Sequence, residues 1–298
     1  MERRSVDVGG ARLDAVVEGN GPFTVIFENG LATALEAWDA IAPQIQARAR
    51  VVRYDRRRAA HAGAVPARTA ADMVGDLRKL LAALEISPPY VLVGHSWGGV
   101  VARTFAHGYP ADVIGLVLVD ATHEVVDSRG FALLPVMYGL MGLAARFGAG
   151  RRWLLKLICP PGAPPRYRAL LEQRVSDRAQ WKIGLRTARA EGAGIRPSLA
   201  ALGRDCPDLP AIPVHVLTAG GVSGPNLKQI LRVHDAWRAM VHRAPRAQYT
   251  NVPASGHQMP VEVPDVVSRA IGGVLDEVGG GSGRSSQPAM NASRSALI

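Results

Sequence analysis

The chain is short of the residues that staple small folds. Its 298 residues hold two cysteines, Cys159 and Cys206, in no C-x-x-C spacing, which excludes a disulfide framework and leaves two ordinary thiols. Charged residues make up only 20% against 48% hydrophobic residues, too apolar a balance for a disordered chain. Long apolar runs are also missing. The most apolar of the uncharged runs, Phe131 to Ala145, contains Pro135 and falls short of the roughly 18 residues of a spanning helix, so it reads as a buried or interfacial helix. MERRSVDVGG at the start has charge but no apolar stretch behind it; no secretory signal is expected, and a cytoplasmic location is.

Acidic residues are the scarcer sign, 25 Asp/Glu against 35 Lys/Arg, for a formal charge of +10. The excess is local. Residues 128–205 hold fourteen Lys/Arg and four Asp/Glu, while the remainder balances. That distribution argues for a basic segment rather than a nucleic-acid-binding chain, and no nucleic-acid partner is expected.

What is present is an alternation of short β-branched runs with helix-length amphipathic segments, the pattern of a mainly parallel sheet crossed over by helices. Gly9-Gly10 between two alternating runs predicts an opening hairpin. Strands are predicted at Thr24–Glu28, Val51–Tyr54, Tyr90–Gly94, Ile114–Val119, Val214–Leu217 and Gln248–Val252. Helices are predicted at Thr69–Glu85, Trp97 to about Tyr109, Leu227–Val241 and Val263–Val278. From Ala121 to Asp208 the rhythm lapses into helical stretches broken by Pro160-Pro161 and Pro164-Pro165. The expectation is an α/β core over 1–120 and 209–278, an inserted helical lid over 121–208, and a disordered Gly/Ser-rich tail over 279–298.

The sharpest local signal is Gly94-His95-Ser96-Trp97-Gly98-Gly99, a G-x-S-x-G pattern between a predicted strand and a predicted helix. A tight turn there lifts the Ser96 hydroxyl above the sheet edge, and the helix N-terminus behind it favours developing negative charge. A hydroxyl needs an imidazole to take its proton. Ser255-Gly256-His257 follows the last predicted strand, which makes His257 the candidate base. His95, His61, His107, His215, His234 and His242 are poorer candidates by position.

These residues and their order resemble the α/β-hydrolase superfamily over about residues 6–278. FENGL, YDR, VLVGHSWGG, GLVLVD and SGH segments also resemble an esterase-like subset of it. The resemblance implies an eight-stranded, mostly parallel sheet flanked by helices, with the lid inserted after strand six. It further implies an oxyanion hole from the backbone amides of Leu31 and Trp97, with Gly30 as a turn residue. Many relatives have His-Gly where Asn29-Gly30 stands. The loop after the seventh strand, Thr218 to Asn226, has no carboxylate, and neither Ser223 nor Asn226 carries the charge to replace one. Asp120, closing the sixth strand, is the candidate acid, with Asp235 as runner-up. Asn29, Gly30 and His123 are expected near the substrate pocket, and Glu124 at its entrance.

The leading expectation is therefore a serine hydrolase of carboxylic esters, needing no metal or organic cofactor. Amide, lactone or thioester cleavage, acyl transfer and perhydrolysis run on the same triad. Ser96 stands where dehalogenases and epoxide hydrolases of this fold carry a carboxylate, and Gln258 where hydroxynitrile lyases carry a Lys. A non-catalytic small-molecule binding protein is the alternative from another class. The lid is expected to line an acyl pocket with apolar residues and to point its arginines at solvent or an anionic substrate group. Its stripe of Leu133, Leu134, Met137, Leu140 and Met141 reads as lid core before transient membrane contact. The Arg56-Arg57-Arg58 run reads as surface charge.

Overall fold

The computed structural model describes residues 2–58, 66–127, 134–224 and 226–281. The strands are β1 Arg3–Asp7, β2 Arg12–Glu18, β3 Thr24–Glu28, β4 Arg50–Tyr54, β5 Tyr90–His95, β6 Val113–Val119, β7 Val214–Ala219 and β8 Ala247–Val252. They form one sheet in the order β1-β2-β4-β3-β5-β6-β7-β8. The pairs β1·β2 and β2·β4 are antiparallel and every other pair is parallel. The predicted hairpin is present, with Gly9 and Gly10 both at positive φ (83° and 79°). β3 and nearly all of β5 and β6 are buried apolar runs, as strands covered on both faces must be. The edge strand β1 is mostly exposed and carries Arg3 and Arg4, charges that discourage edge-to-edge pairing.

Helices cover both faces: α1 Ala42–Ile45, α2 Ala70–Ala83 and α3 Trp97–Gly108 in the first half, and α8 Leu227–His242, α9 Met259–Glu262 and α10 Pro264–Gly281 in the last. Thr69 starts α2 with a reciprocal capping box to Asp72, which satisfies two otherwise orphaned groups. One apolar cluster lies under α2, α3 and α8, and a second under α1, α9 and α10. α10 runs to Gly281, so 279–281, assigned to the tail by composition, are helical; 282–298 lie outside the described residues.

Between β6 and β7 stand α4 Leu134–Ala144, α5 Gly148–Ile158, α6 Pro165–Ser176 and α7 Arg178–Asp205. Pro164 and Pro165 sit at the start of α6, where a missing N–H costs nothing. The apolar stripe is lid core only in part: Met137 and Leu140 are 47% and 64% exposed, while Met141 packs against Ala145, Leu154 and Val175 and lines a cavity. Leu133 lies outside the described residues.

Chain order positions the site. The chain leaves β3 for β4 on one side and returns to β5 on the other, so the loops after β3 and β5 diverge. The crevice between such loops is where open α/β sheets bind ligands.

Candidate active site

Ser96 closes β5 and opens α3 with φ 53° and ψ −119°, a backbone conformation that a non-glycine residue holds only under strain. The surrounding glycines are required by space. A Cβ on Gly94 would lie 2.5 Å from the Gly98 carbonyl oxygen, one on Gly98 2.3 Å from that of Glu28, and one on Gly99 2.3 Å from Ala121 Cβ. The sharp turn therefore depends on small residues two before, two after and three after the serine.

The structure brings Ser96, His257 and Asp120 together. Ser96 Oγ is 3.0 Å from His257 Nε2, and His257 Nδ1 is 2.5 Å from Asp120 Oδ2. Asp120 is itself held at φ 41°, and its Oδ1 accepts from the Ala219 amide at 3.0 Å. The end of β7 thus supplies a backbone donor to the acid, and the loop after it supplies no carboxylate. Asp235 is exposed on α8 and pairs with Arg238 at 2.7 Å, away from this chain of hydrogen bonds. Glu262 accepts from the amides of Gly256 (2.5 Å) and Gln258 (3.3 Å), which fixes the loop on either side of His257.

Electrostatics follow the geometry. Burial opposes charge on His257, but the hydrogen bond and charge of Asp120, with Glu262 farther off, outweigh it and raise the imidazole above its ordinary value of 6.5. For Asp120, burial pushes upward, and the His257 hydrogen bond and charge together with the Ala219 amide bring it below 3.8. The pair favours imidazolium beside carboxylate.

The amides of Leu31 and Trp97 have no backbone acceptor among the described residues. Trp97 is the first residue of α3, where the N–H has no intrahelical partner.

Other expectations need correction. Asn29 is buried with its side chain spent on structure, donating to the Tyr54 carbonyl at 2.7 Å and accepting from Trp38 Nε1 at 2.8 Å. Gly30 lies beside the nucleophile: a Cβ there would meet His95 Nδ1 at 3.0 Å and Ser96 Cβ at 3.5 Å. His123 is buried edge-on against Trp237 (4.6 Å between ring centres). Glu124 pairs with Arg103 at 2.7 Å. Asn29, His123 and Glu124 are absent from the cavity wall.

The Arg56–Arg58 run is not a solvated surface. Arg56 donates to the carbonyls of Asn29 (2.5 Å) and Gly30 (2.7 Å), to both Glu191 oxygens (3.0 and 2.9 Å) and to Glu28 (3.3 Å). It ties the Leu31 loop to α7. Arg57 makes a bidentate pair with Asp76 at 3.1 Å, and Arg58 reaches Gln180 at 2.9 Å. Position alone also undervalued His95. It is buried, and desolvation first, then the charge of His257, lower its pKa to about 3. It is therefore neutral, and its Nε2 lies 2.7 Å from the His257 carbonyl oxygen.

A cavity of about 450 Å³ opens beside His257 and Leu31, under α4 to α7. Tyr138, Met141, Tyr167, Leu171, Trp181 and Leu185 give it an apolar body, and Arg58, Arg174 and Gln180 a polar flank. That size and mixture suit a small organic ligand.

A family model described as Alpha/beta hydrolase family matches residues 25–270. The chain belongs to that family. This alpha/beta hydrolase is 34% identical over 119 residues to the uncharacterized protein YqjL of Bacillus subtilis (strain 168), covering 40% of this chain and 46% of that one. It is 32% identical over 128 residues to a fluoroacetate dehalogenase of Burkholderia sp, covering 40% and 41%. The matched segments span less than half the length of these relatives. Among solved structures, the hydrolase resembles the epoxide hydrolase CorEH (TM-score 0.71, 17% identity, 93% of this chain and 99% of that one). It also resembles a thermophilic esterase from Thermogutta terrifontis (TM-score 0.64, 21% identity, 93% and 99%). At these identities the likeness to solved structures is one of fold. No helix of the described residues is long and apolar enough to cross a membrane.

Proposed function

We propose that this chain is a serine hydrolase that cleaves a carboxylic ester of a small molecule through an acyl-enzyme intermediate. The observation that carries the reading is the unbroken hydrogen-bond chain Ser96–His257–Asp120 beside a ligand-sized cavity. In it, Ser96 Oγ attacks the ester carbonyl while His257 Nε2 takes the hydroxyl proton, and Asp120 holds the imidazolium. The carbonyl oxygen, now an oxyanion, receives the Leu31 and Trp97 amides. His257 returns the proton to the leaving alcohol, the ester C–O bond breaks, and Ser96 carries the acyl group. Water then attacks the acyl carbon, giving its proton to His257, and the free acid leaves as Ser96 regains its own. The helices over 121–208 act as the lid that shapes the acyl pocket.

A hydroxyl nucleophile, where the dehalogenases and epoxide hydrolases of this fold place a carboxylate, supports acyl chemistry over those two reactions. Labelling by a fluorophosphonate probe tests the reading, together with hydrolysis of p-nitrophenyl butyrate. Wild type is expected to label and turn over, and Ser96→Ala to do neither. A folded wild type that does neither would move the chain to a non-catalytic binding protein. Product analysis with added alcohol or peroxide separates hydrolysis from acyl transfer and perhydrolysis.

A further inference from the structure

The cavity wall carries three guanidinium groups, those of Arg56, Arg58 and Arg174, and two carboxylates, those of Asp55 and Glu191. Both carboxylates are engaged. Glu191 is gripped at both oxygens by Arg56, and Asp55 accepts from the Leu35 amide at 2.9 Å and from Arg3 at 3.1 Å. Neither Arg58 nor Arg174 has a carboxylate within 4.0 Å among the described residues. Arg58 donates one bond to the neutral Gln180 amide oxygen. Arg174 reaches the Ala32 carbonyl only at 3.4 Å, and its buried Nε has no partner among the described residues.

Two guanidinium groups lining one cavity, neither paired with a carboxylate of the described residues, are an unfavourable arrangement that the more distant Asp55 offsets only in part. Burial first, and then the proximity of Arg174, make charge on Arg58 harder to hold. Such a pair is stabilised by an anion that enters between them, because a guanidinium offers a planar fork matched to a carboxylate. Tyr138 and Tyr167 line the same wall, and Arg174 acts electrostatically on both. The Ala32 carbonyl that Arg174 contacts follows Leu31, which lines the cavity together with His257, so the cationic flank borders the site of chemistry.

We propose that Arg58 and Arg174 form an anion subsite for the carboxylate of an ester substrate that has an apolar body and an anionic end. This rests on the hydrolase reading for its substrate but not for its binding. Arg58→Gln and Arg174→Gln remove one charge each with little change in bulk, and Arg58→Lys and Arg174→Lys keep the charge while losing the fork; thermal melts check that each variant is folded.

Adipate, a dicarboxylate that cannot be hydrolysed, is titrated calorimetrically into wild type and the variants. The expected result is binding that weakens about tenfold with either Gln replacement and is partly restored by Lys. Adipate that does not bind wild type, or binds it and both Gln variants alike, overturns the subsite. Kinetics test the hydrolase half separately. The ratio of kcat/KM for mono-p-nitrophenyl adipate to that for p-nitrophenyl hexanoate, esters of equal chain length, is expected to exceed about ten in wild type and to fall about tenfold in either Gln variant. If neither ester is turned over while adipate still binds through both arginines, the subsite stands and the hydrolase reading fails.

Discussion

His95 Nε2 lies 2.7 Å from the carbonyl oxygen of His257, so the residue that precedes the candidate nucleophile holds the backbone of the residue that would take its proton. The two side chains of the site are thereby referenced to each other through the end of β5. A neutral imidazole donates to this carbonyl, consistent with a pKa lowered to about 3 by burial and by the neighbouring His257. His95→Phe keeps a ring of similar shape and removes the donor. The expected outcome is a folded variant with kcat about tenfold lower and KM near wild type, because a misplaced base is felt in the chemical step. His95→Gln, which can still donate, should recover part of the loss. Equal kcat values for His95→Phe and wild type would show that the contact only packs the loop.

Asp120 raises the His257 pKa above 6.5 against the effect of burial. Only neutral His257 can accept a proton, so kcat/KM should fall as pH drops through that raised value. Asp120→Asn removes both the charge and the correct hydrogen bond. It should lower kcat about a thousandfold or more and shift the acid-side inflection to lower pH, since burial is then opposed only by the more distant charge of Glu262. Asp235→Asn, at an exposed residue paired with Arg238, should leave the profile where it is. A full pH–rate profile for the three proteins checks this.

The parts of this site that were legible in the sequence are those set by local patterns. Ser96 lies between an apolar run and an amphipathic one, His257 just beyond the last strand, and Asp120 at the end of GLVLVD; each follows a strand, and parallel strands bring such residues to one sheet edge. The missing carboxylate after β7 pointed to Asp120 by need. What could not be read are contacts made across the chain. Arg56 and Glu191 are 135 positions apart, and nothing near either one announces the pair. Asn29 stood beside the expected oxyanion loop, yet its amide fits Tyr54 and Trp38, which only the folded register reveals. The exposure of Met137 and Leu140 was missed because an apolar stripe in a sequence does not say which neighbour, if any, covers it.

The elbow glycines should respond differently from a glycine in open space. Gly98→Ala puts a methyl group 2.3 Å from the Glu28 carbonyl oxygen, which belongs to the sheet backbone and cannot step aside. Overpacking of this kind costs about 1–3 kcal/mol, and the displacement should also lower activity. Gly75, inside α2, has nothing within 4 Å of its would-be Cβ, so Gly75→Ala should stabilise by about 0.5–1 kcal/mol. Urea melts of both variants give the two signs directly.

Arg56 should be the most costly surface-to-core connection to cut. It is buried, and its guanidinium serves the Asn29 and Gly30 carbonyls as well as Glu191 and Glu28. Arg56→Ala leaves two carboxylates buried without their cation, a change that costs about 3–5 kcal/mol. Lys cannot rescue it fully, since one ammonium with three donors cannot span four acceptor groups. The pH dependence carries the diagnostic sign. Burial already pushes Glu28 up to about 7 against the pull of Arg56 and Tyr54, so removing Arg56 raises it further. A carboxyl whose folded pKa exceeds its unfolded value of 4.5 contributes stability that is present at low pH and lost as pH rises through the folded value. The destabilisation by Arg56→Ala should therefore be larger at pH 8, where Glu28 must ionise or hold a proton at a cost, than at pH 5, where it is protonated in the variant anyway. Denaturant midpoints for wild type and variant at those two pH values measure the difference. A gap that is the same at both would mean that Glu28 does not feel Arg56.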